Sequence, residues 1–213
     1  MKRRAFLQWL GVAGLLPVAA ARATAAAAVA ASAQGEPGSD EFRRVVTGVD
    51  ADGHSVVVSN GVPPTQLHPR HPQQVLTDLW ITDAVPADHS APVDREFQFQ
   101  PSPGGVHIIR NKLPPDAVMY SDEAGRPRVP GKHEYLHRTK TIDFIQVLDG
   151  ELWLILEDGS EVQLVAGDCV VQNGTLHAWR NRSDAPVTFL AVMVDANPAT
   201  LPATPLGAEP VHG

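Results

Sequence analysis

Two histidines and one aspartate are the side chains of this sequence best suited to chemistry. His137, Thr139 and Asp143 are separated by even numbers of residues, and His177 follows in a later segment. Because side chains alternate along an extended chain, the first three can share one face of a sheet. An imidazole titrates near neutral pH, which makes His177 and Asp143 a candidate acid/base pair. We therefore predict His177, Asp143 and Thr139 as catalytic residues.

Aromatic residues flank both histidines at a spacing of two. Trp179 follows His177 by two residues and Tyr135 precedes His137 by two, so both rings should point into the same cavity as the histidines. Aromatic walls with a few polar groups are typical of small-molecule pockets. Arg180 lies beside Trp179 and is placed either to attract an anion or on the solvated surface. We predict Tyr135, Trp179 and Arg180 as substrate-binding residues and a small molecule as the partner.

Short apolar segments joined by Asp-Gly or Gly-Asp turns predict the elements that position these residues. Six predicted strands occupy residues 142–148, 151–156, 161–165, 169–172, 177–180 and 187–194. Upstream, the sequence predicts a hairpin over 43–59, strands at 75–82 and 106–109, a short helix near 116–120, an irregular segment at 63–72 and a loop at 86–103. Helix patterns are nearly absent, so the sequence predicts an all-β barrel or sandwich.

Two motifs in the second half of the chain resemble those of the cupin superfamily. The first is His137 to Asp143 followed by Gly150, and the second is Gly167-Asp168 with Asn173-Gly174-Thr175-Leu176-His177 and Asn181. The chain resembles the small single-domain cupins of type 2. The resemblance implies a double-stranded β-barrel, or jelly roll, with an N-terminal β-hairpin and loop extension.

The resemblance also implies a metal site, with departures from the family pattern. His137 takes the place of the first histidine, Thr139 that of the second, Asp143 that of the glutamate and His177 that of the third histidine. The implied metal ligands are His137, Asp143 and His177, a set that suits one divalent Fe, Mn or Zn ion. Asp143 is shorter than glutamate and Thr139 is a poor ligand, so a barrel without metal is the alternative. His133 is a further candidate ligand.

The chain divides into four expected parts. Residues 1–33 resemble a twin-arginine signal peptide, with Arg3 and Arg4 before Phe6 and Leu7 and a small-residue cleavage site ending at Ala33. Residues 34–132 form the N-terminal extension, 133–196 the barrel core and 197–213 a tail. We expect the mature protein to be periplasmic or secreted, without a membrane span.

Composition limits the partners. The chain has 213 residues, 43% of them hydrophobic, and a net charge of −7 without a basic cluster beyond the N-terminus, which argues against nucleic acid. The single cysteine, Cys169, lies in an apolar run and is predicted to be a buried, inert thiol. Alternating apolar residues at 152–156 are consistent with a homodimer and equally with packing of this strand by the N-terminal segment.

Three functional classes remain open at this point. The first is a metal-dependent enzyme, an oxidoreductase such as a dioxygenase or a lyase, acting on a small organic molecule. The second is a metal-free acid/base isomerase or dehydratase that uses His177 and Asp143. The third is a non-catalytic cupin that binds a small molecule. Similar fungal cupins are described as oxidoreductases, which favours the first class.

Overall fold

The computed structural model describes residues 42–63, 65–68, 71–89, 97–122, 124–131 and 134–197. The chain divides into two units, Met1–Arg43 and Arg44–Gly213, and almost all described residues belong to the second. The expected signal peptide, His133 and nearly all of the expected tail lie outside the described residues. None of the helices in the described part combines the length and apolar character that crossing a membrane requires.

The second unit consists mainly of antiparallel strands. Their bounds are β1 Arg44–Val49, β2 Ser55–Gly61, β3 Thr65–His68, β4 His71–Thr82, β5 Val106–Leu113, β6 Thr141–Asp149, β7 Glu151–Leu156, β8 Glu161–Val165, β9 Cys169–Asn173, β10 His177–Arg180 and β11 Val187–Asp195. One short helix, α1, spans Asp116–Met119. The all-β prediction is confirmed, and each strand predicted from residue 142 onward is present within two residues of its bounds.

Two antiparallel sheets build the barrel. The larger has six strands in the order β3-β4-β5-β11-β6-β9, and the smaller has three in the order β10-β7-β8. The hairpin β1-β2 forms a separate two-stranded sheet, as predicted. Strands β3, β4 and β5 come from the expected N-terminal extension, yet they supply half of the larger sheet.

The core lies between the two sheets because each turns one apolar face inward. On β5 and β6, buried residues alternate with more exposed ones, as expected of strands that are covered on one side. Both sheets contribute to the same buried cluster: Ile145, Val147 and Phe189 come from the larger sheet, and Leu152, Leu154 and Leu164 from the smaller. The two sheets therefore pack face to face in a jelly-roll arrangement.

Gly150 carries the chain from one sheet to the other. It follows β6 of the larger sheet and precedes β7 of the smaller, and its φ is 84°. A Cβ atom at this position would lie 3.1 Å from the Val187 Cα. Both the backbone conformation and the close approach favour glycine, which explains why the motif places one there.

Two expectations are wrong. The segment 63–72 is not irregular throughout, because β3 forms within it and pairs with β4. Cys169 is exposed rather than buried. It opens β9, the outermost strand of the larger sheet, and faces outward beside the exposed Gln146. An apolar run thus predicted the strand correctly but not which of its faces is covered.

Candidate functional site

A cavity of about 540 Å³ lies inside the barrel. Most of its wall is apolar and aromatic, and it includes Trp179, Phe189 and Met193. The polar side chains on the wall are His137, Thr139, Asp143, His177, Arg138, Gln74, Gln100 and Asn111, besides the two tyrosines Tyr120 and Tyr135. This composition and size are typical of a small-molecule pocket.

Backbone pairing brings the two histidines of the site together. The His137 amide donates to the His177 carbonyl at 2.8 Å, and the His177 amide donates to the His137 carbonyl at 3.0 Å. His177 opens β10, where it pairs with Leu156 of β7. The two imidazole centroids are consequently 4.4 Å apart. Side chains from distant parts of the sequence thus form one imidazole pair.

Each imidazole is oriented through its Nδ1 atom. His137 Nδ1 lies 3.1 Å from the carbonyl oxygen of Tyr135, and His177 Nδ1 lies 2.9 Å from that of Thr175. The Gln172 amide nitrogen is also 2.8 Å from His177 Nδ1, so the two neighbours favour different tautomers. When Nδ1 donates to the carbonyl, the Nε2 atom keeps its lone pair. Neither Nε2 atom hydrogen-bonds to another residue in the described part of the chain.

Burial keeps His177 neutral. Its side chain is almost fully enclosed, and desolvation lowers its pKa to about 4. The nearby His137 lowers the pKa further, whereas the Thr175 carbonyl opposes the shift. The imidazole is therefore uncharged at neutral pH and offers a lone pair rather than a positive charge.

Asp143 lies on the inner face of β6 and is also buried. Its Oδ2 accepts a hydrogen bond from the Thr139 hydroxyl at 3.2 Å. Burial raises the pKa of the carboxyl group, and the neighbouring hydroxyls of Thr141 and Thr139 oppose this rise. Oδ1 is buried without a hydrogen-bond partner among the described residues, and the Thr141 hydroxyl, likewise buried, makes no hydrogen bond of acceptable geometry. One carboxylate oxygen is therefore enclosed without a hydrogen-bond partner, and a bound ligand would supply the partner that it lacks.

The chemistry of these donor atoms fits a divalent metal ion. His137, His177 and Asp143 each keep one ligand atom free while their other atom is held by a protein group, which is the usual pattern around a bound metal. Among the described residues, one group of three has ligand atoms that all lie within 4.8 Å of one another, and it consists of Asp50, Asp52 and His54. The ligand atoms of His137, His177 and Asp143 are therefore more widely spaced than this. Metal binding at the barrel site would thus have to draw the three groups together.

The cluster of Asp50, Asp52 and His54 is explained by local structure. It forms the exposed turn between β1 and β2. Asp50 Oδ1 accepts the backbone N–H groups of Asp52 at 3.0 Å and His54 at 2.9 Å. Aspartate commonly stabilises a turn in this way. The carboxylate therefore has a structural task in the hairpin.

Arg180 is buried and holds the segment that leads to His137. Its guanidinium donates to the Tyr120 hydroxyl, to the Glu134 carbonyl at 3.0 Å and to the Gly131 carbonyl at 3.4 Å. The same guanidinium lies 4.5 Å from the Tyr120 ring centroid. Burial raises the pKa of Tyr120 to about 12, so the hydroxyl stays protonated. Arg180 thus connects β10 to the loop before the first histidine.

Tyr135 has a backbone conformation that is rare outside glycine. Its φ is 64°, and its carbonyl faces His137 Nδ1. The ring lies 5.1 Å from that of Tyr120 and lines the cavity. Non-glycine residues adopt this conformation at a cost and often do so at functional sites. The conformation of Tyr135 aims the carbonyl that orients His137.

Comparison with known proteins assigns the family. Residues 128–193 match the model of the cupin domain. The phomopsin biosynthesis cluster protein C' of Diaporthe leptostromiformis is 32% identical over 168 residues, which cover 77% of this chain and 84% of that protein. The chain belongs to the cupin superfamily.

Two further proteins are similar to this chain. The cupin-domain-containing oxidoreductase fogC of Aspergillus ruber is 27% identical and covers 72% of each chain. The cupin domain of an XRE family transcriptional regulator from Enterobacter cloacae has been solved; it is 21% identical, covers 59% of this chain and 98% of that one, and gives a TM-score of 0.34.

The cupin barrel brings together most of the predicted site residues. His137, Thr139, Asp143 and His177 line one cavity, and Tyr135 and Trp179 point into it as the spacing of two predicted. Arg180 is not part of the cavity wall. Its observed contacts hold the loop, and its binding of a substrate stays a prediction. The catalytic and metal-binding roles of the other residues also stay predictions.

Sequence reasoning missed Tyr120, Gln172, Gln74 and Asn111 in this cupin. Asn111 carries a detectable signal, because it is two residues after Ile109 and therefore on the same inner face of β5. Gln172 is the inward residue of β9 by the same alternation. Tyr120 follows α1 in a segment without periodicity, so no pattern identified it as the partner of Arg180.

Proposed function

We propose that this chain is an exported, metal-dependent cupin enzyme, an oxidoreductase that acts on a small organic molecule. One divalent Fe, Mn or Zn ion would be held by His137, His177 and Asp143. The observation that carries this proposal is the pair of adjacent imidazoles beside a buried carboxylate oxygen without a hydrogen-bond partner. All three groups lie on the wall of a cavity large enough for a small substrate.

The names of several relatives favour oxidation. fogC is named an oxidoreductase, as are srdB of Neurospora crassa, which is 28% identical, and virC of Hypocrea virens, which is 24% identical. The phomopsin and oryzines proteins are named for biosynthesis clusters. A bound Fe, Mn or Zn ion would supply Lewis-acid polarisation, and Fe or Mn would also supply one-electron chemistry, which Zn does not.

The chain's own residues would prepare the site for that chemistry. The Tyr135 and Thr175 carbonyls fix the direction of the two imidazoles. The Thr139 hydroxyl holds a proton toward Asp143 Oδ2, which leaves Oδ1 free. Trp179, 5.3 Å from the His177 ring, would pack against the substrate and exclude water.

A non-catalytic cupin that binds a small molecule is the second candidate. The observation in its favour is the spacing of the three donor groups, whose ligand atoms are not all within 4.8 Å. An apolar cavity of this size retains an organic ligand without any metal. This candidate requires binding without turnover and no stoichiometric metal.

Export to the periplasm or outside the cell is part of the proposal. Arg3 and Arg4, followed by Phe6 and Leu7, support recognition of the N-terminus as a twin-arginine signal. Expression of the full chain in a host with and without twin-arginine export tests this point. Processed protein outside the cytoplasm in the first host only is the expected result.

A homodimer is also part of the proposal. Phe144 of β6 and Val171 of β9 are paired neighbours on the outer face of the larger sheet, and 46% and 58% of their surfaces are exposed. A second copy of the chain would cover this patch. Light scattering should give twice the chain mass, and Phe144→Lys should shift it to that of one chain; a wild-type monomer contradicts the dimer.

Elemental analysis tests the metal site most directly. The full chain is purified without chelator, beside a His137→Ala/His177→Ala double variant and a His54→Ala control in the exposed turn. Near-stoichiometric Fe, Mn or Zn in the wild type and the control, but not in the folded double variant, is the expected result. Absence of metal from wild-type protein, even after reconstitution, would refute the metalloenzyme and favour the second candidate.

A further inference from the structure

A pair of side-chain amides forms a second polar position on the cavity wall. Gln74 of β4 donates from Nε2 to Asn111 Oδ1 of β5 at 3.0 Å. Both side chains line the cavity, and each residue is only 9% exposed. Neither residue is among the predicted catalytic or metal-binding groups.

The amide pair has hydrogen-bonding capacity left over. The pairing uses a donor of Gln74, Nε2, and the acceptor of Asn111, Oδ1. The other atoms of the two amides, Gln74 Oε1 and Asn111 Nδ2, make no hydrogen bond within the described residues. Some buried polar atoms, such as Asp143 Oδ1, have neither a partner nor accessible surface, but Gln74 Oε1 and Asn111 Nδ2 are not among them. They therefore open onto the cavity and present one acceptor beside one donor.

The amide pair and the histidine site are at different levels of the barrel. Across the larger sheet, Asp143 pairs with Met193, which in turn pairs with His107 on β5. Asn111 is four residues beyond His107 on the same strand, which is about 13 Å along an extended chain. The cavity thus has two polar positions separated along the strands.

The wall between the two polar positions is apolar. Ile145, Ala191 and Ile109 form one register row across β6, β11 and β5, and all three line the cavity. Phe189 continues this wall beside Asn111. A ligand that spans both positions must therefore have an apolar middle.

Charge on the wall is confined to the histidine site and the rim. Among the described residues that line the cavity, Arg138 is the one with a permanent positive charge, and it is exposed. Asp143 is the one carboxylate among these described residues. Burial of a charged ligand group at the amide pair would be costly, because no described lining residue there carries an opposite charge to compensate it.

We propose that the cavity binds a neutral, largely apolar molecule with a carboxamide-like group that pairs with Gln74 Oε1 and Asn111 Nδ2. The ligand's carbonyl accepts from Asn111 and its N–H donates to Gln74. The far end of the ligand then faces His137, Asp143 and His177. Only this last statement rests on the proposed function, since the amide subsite needs no metal.

The proposal predicts a rank order of affinity for three naphthalene probes. The full chain is treated with EDTA, and binding of 2-naphthamide, 2-acetylnaphthalene and 2-naphthoate is measured by displacement of a neutral fluorescent naphthylamine. The acetyl compound leaves the Gln74 acceptor unpaired and the naphthoate buries a charge, so 2-naphthamide should bind roughly 10- to 100-fold more tightly than either.

Variants assign the preference to the amide pair. Two variants are compared with wild type: Asn111→Leu, and a Gln74→Leu/Asn111→Leu double variant that leaves no unpaired amide. Both should lose the preference for 2-naphthamide, while their affinity for 2-acetylnaphthalene stays within about threefold of wild type. The exposed Asn173→Leu is the control and should keep the preference. Circular dichroism verifies that each variant is folded.

Three results would overturn the proposal: tighter binding of 2-naphthoate than of 2-naphthamide, survival of the amide preference in the folded double variant, or failure of all three probes to bind folded wild type. The binding assay uses metal-free protein, so its result is independent of the elemental analysis. If 2-naphthamide is preferred but the elemental analysis finds no metal, the metalloenzyme proposal is refuted and the amide subsite stands. A metal-loaded protein without the preference refutes the amide subsite alone.

Discussion

His137 and His177 exchange both backbone hydrogen bonds, at 2.8 and 3.0 Å, and this pairing places their imidazole rings 4.4 Å apart. The pairing lies just before β6 and at the start of β10, so it joins the two sheets at the cavity wall. The position of each ring therefore depends on the backbone of the other histidine. Substitutions that loosen the loop before His137 should consequently affect the positions of both imidazoles.

The stability of the protein should fall between about pH 6.5 and pH 4 because of His177. Its pKa is lowered from 6.5 to about 4 in the folded state, so the unfolded chain binds the proton more strongly in this range. The expected loss is roughly 2–4 kcal/mol of unfolding free energy. His177→Gln should remove this part of the pH dependence, whereas the exposed His54→Gln should keep it. Urea denaturation across the pH range measures the effect, and identical slopes for all three proteins would contradict it.

Asp143→Asn should stabilise the metal-free protein at neutral pH. Burial raises the carboxyl pKa in the folded state, so the fold loses stability as the pH rises from the ordinary pKa of 3.8 through the raised pKa. A neutral amide avoids this cost, and we expect a gain of about 1–3 kcal/mol at pH 7 that disappears below the ordinary pKa of 3.8. Thermal unfolding with EDTA measures the difference.

Added metal should make wild type more stable than Asp143→Asn, the reverse of the order expected without metal. Mn²⁺ or Zn²⁺ stabilises only the form that binds it, so wild-type melting should rise with metal concentration while Asp143→Asn shows little change. Glu157→Gln, at an exposed turn position, is the matched control and should respond like wild type. Equal stabilisation of wild type and Asp143→Asn would remove Asp143 from the ligand set.

The strands from β6 onward could be predicted because alternation and turn glycines agree there. The same alternation correctly placed Asp143 and Trp179 on the cavity wall. Tyr135 also lines the cavity, but it lies outside the strands and its φ is 64°, so strand alternation is not the reason for its position. The contacts of Arg180 could not be predicted, since its partners Tyr120 and Glu134 lie in a segment without periodicity. Sequence patterns locate elements, whereas such contacts depend on how loops return to the sheet.

The register between neighbouring strands also could not be predicted from the sequence. The pairing of Gln74 with Asn111 requires the alignment of β4 with β5, and that alignment shifts at a bulge between Asp78 and Trp80. A bulge moves side chains relative to the partner strand. The edge position of β9, which exposes Cys169, is likewise a property of strand order rather than of local sequence.

Arg180→Lys should destabilise the protein and weaken metal binding together. Lysine cannot reproduce the planar donor group that reaches the Tyr120 hydroxyl and the Glu134 carbonyl. We expect a loss of about 2–4 kcal/mol in unfolding free energy and roughly tenfold weaker Mn²⁺ binding by calorimetry. The exposed Arg182→Lys should change neither. Reduced stability with unchanged metal affinity would limit Arg180 to a structural role.

The backbone of Tyr135 can be tested by comparing glycine with alanine at one position. At a φ of 64°, glycine is free of the steric cost that any Cβ atom incurs, so Tyr135→Gly should be about 1 kcal/mol more stable than Tyr135→Ala. Both variants lack the ring, so the difference isolates the backbone. At the next residue, Leu136, φ is not positive, and alanine should be the more stable of the two variants. If Tyr135→Ala equals or exceeds Tyr135→Gly in chemical denaturation, the left-handed conformation is not what aims the carbonyl at His137.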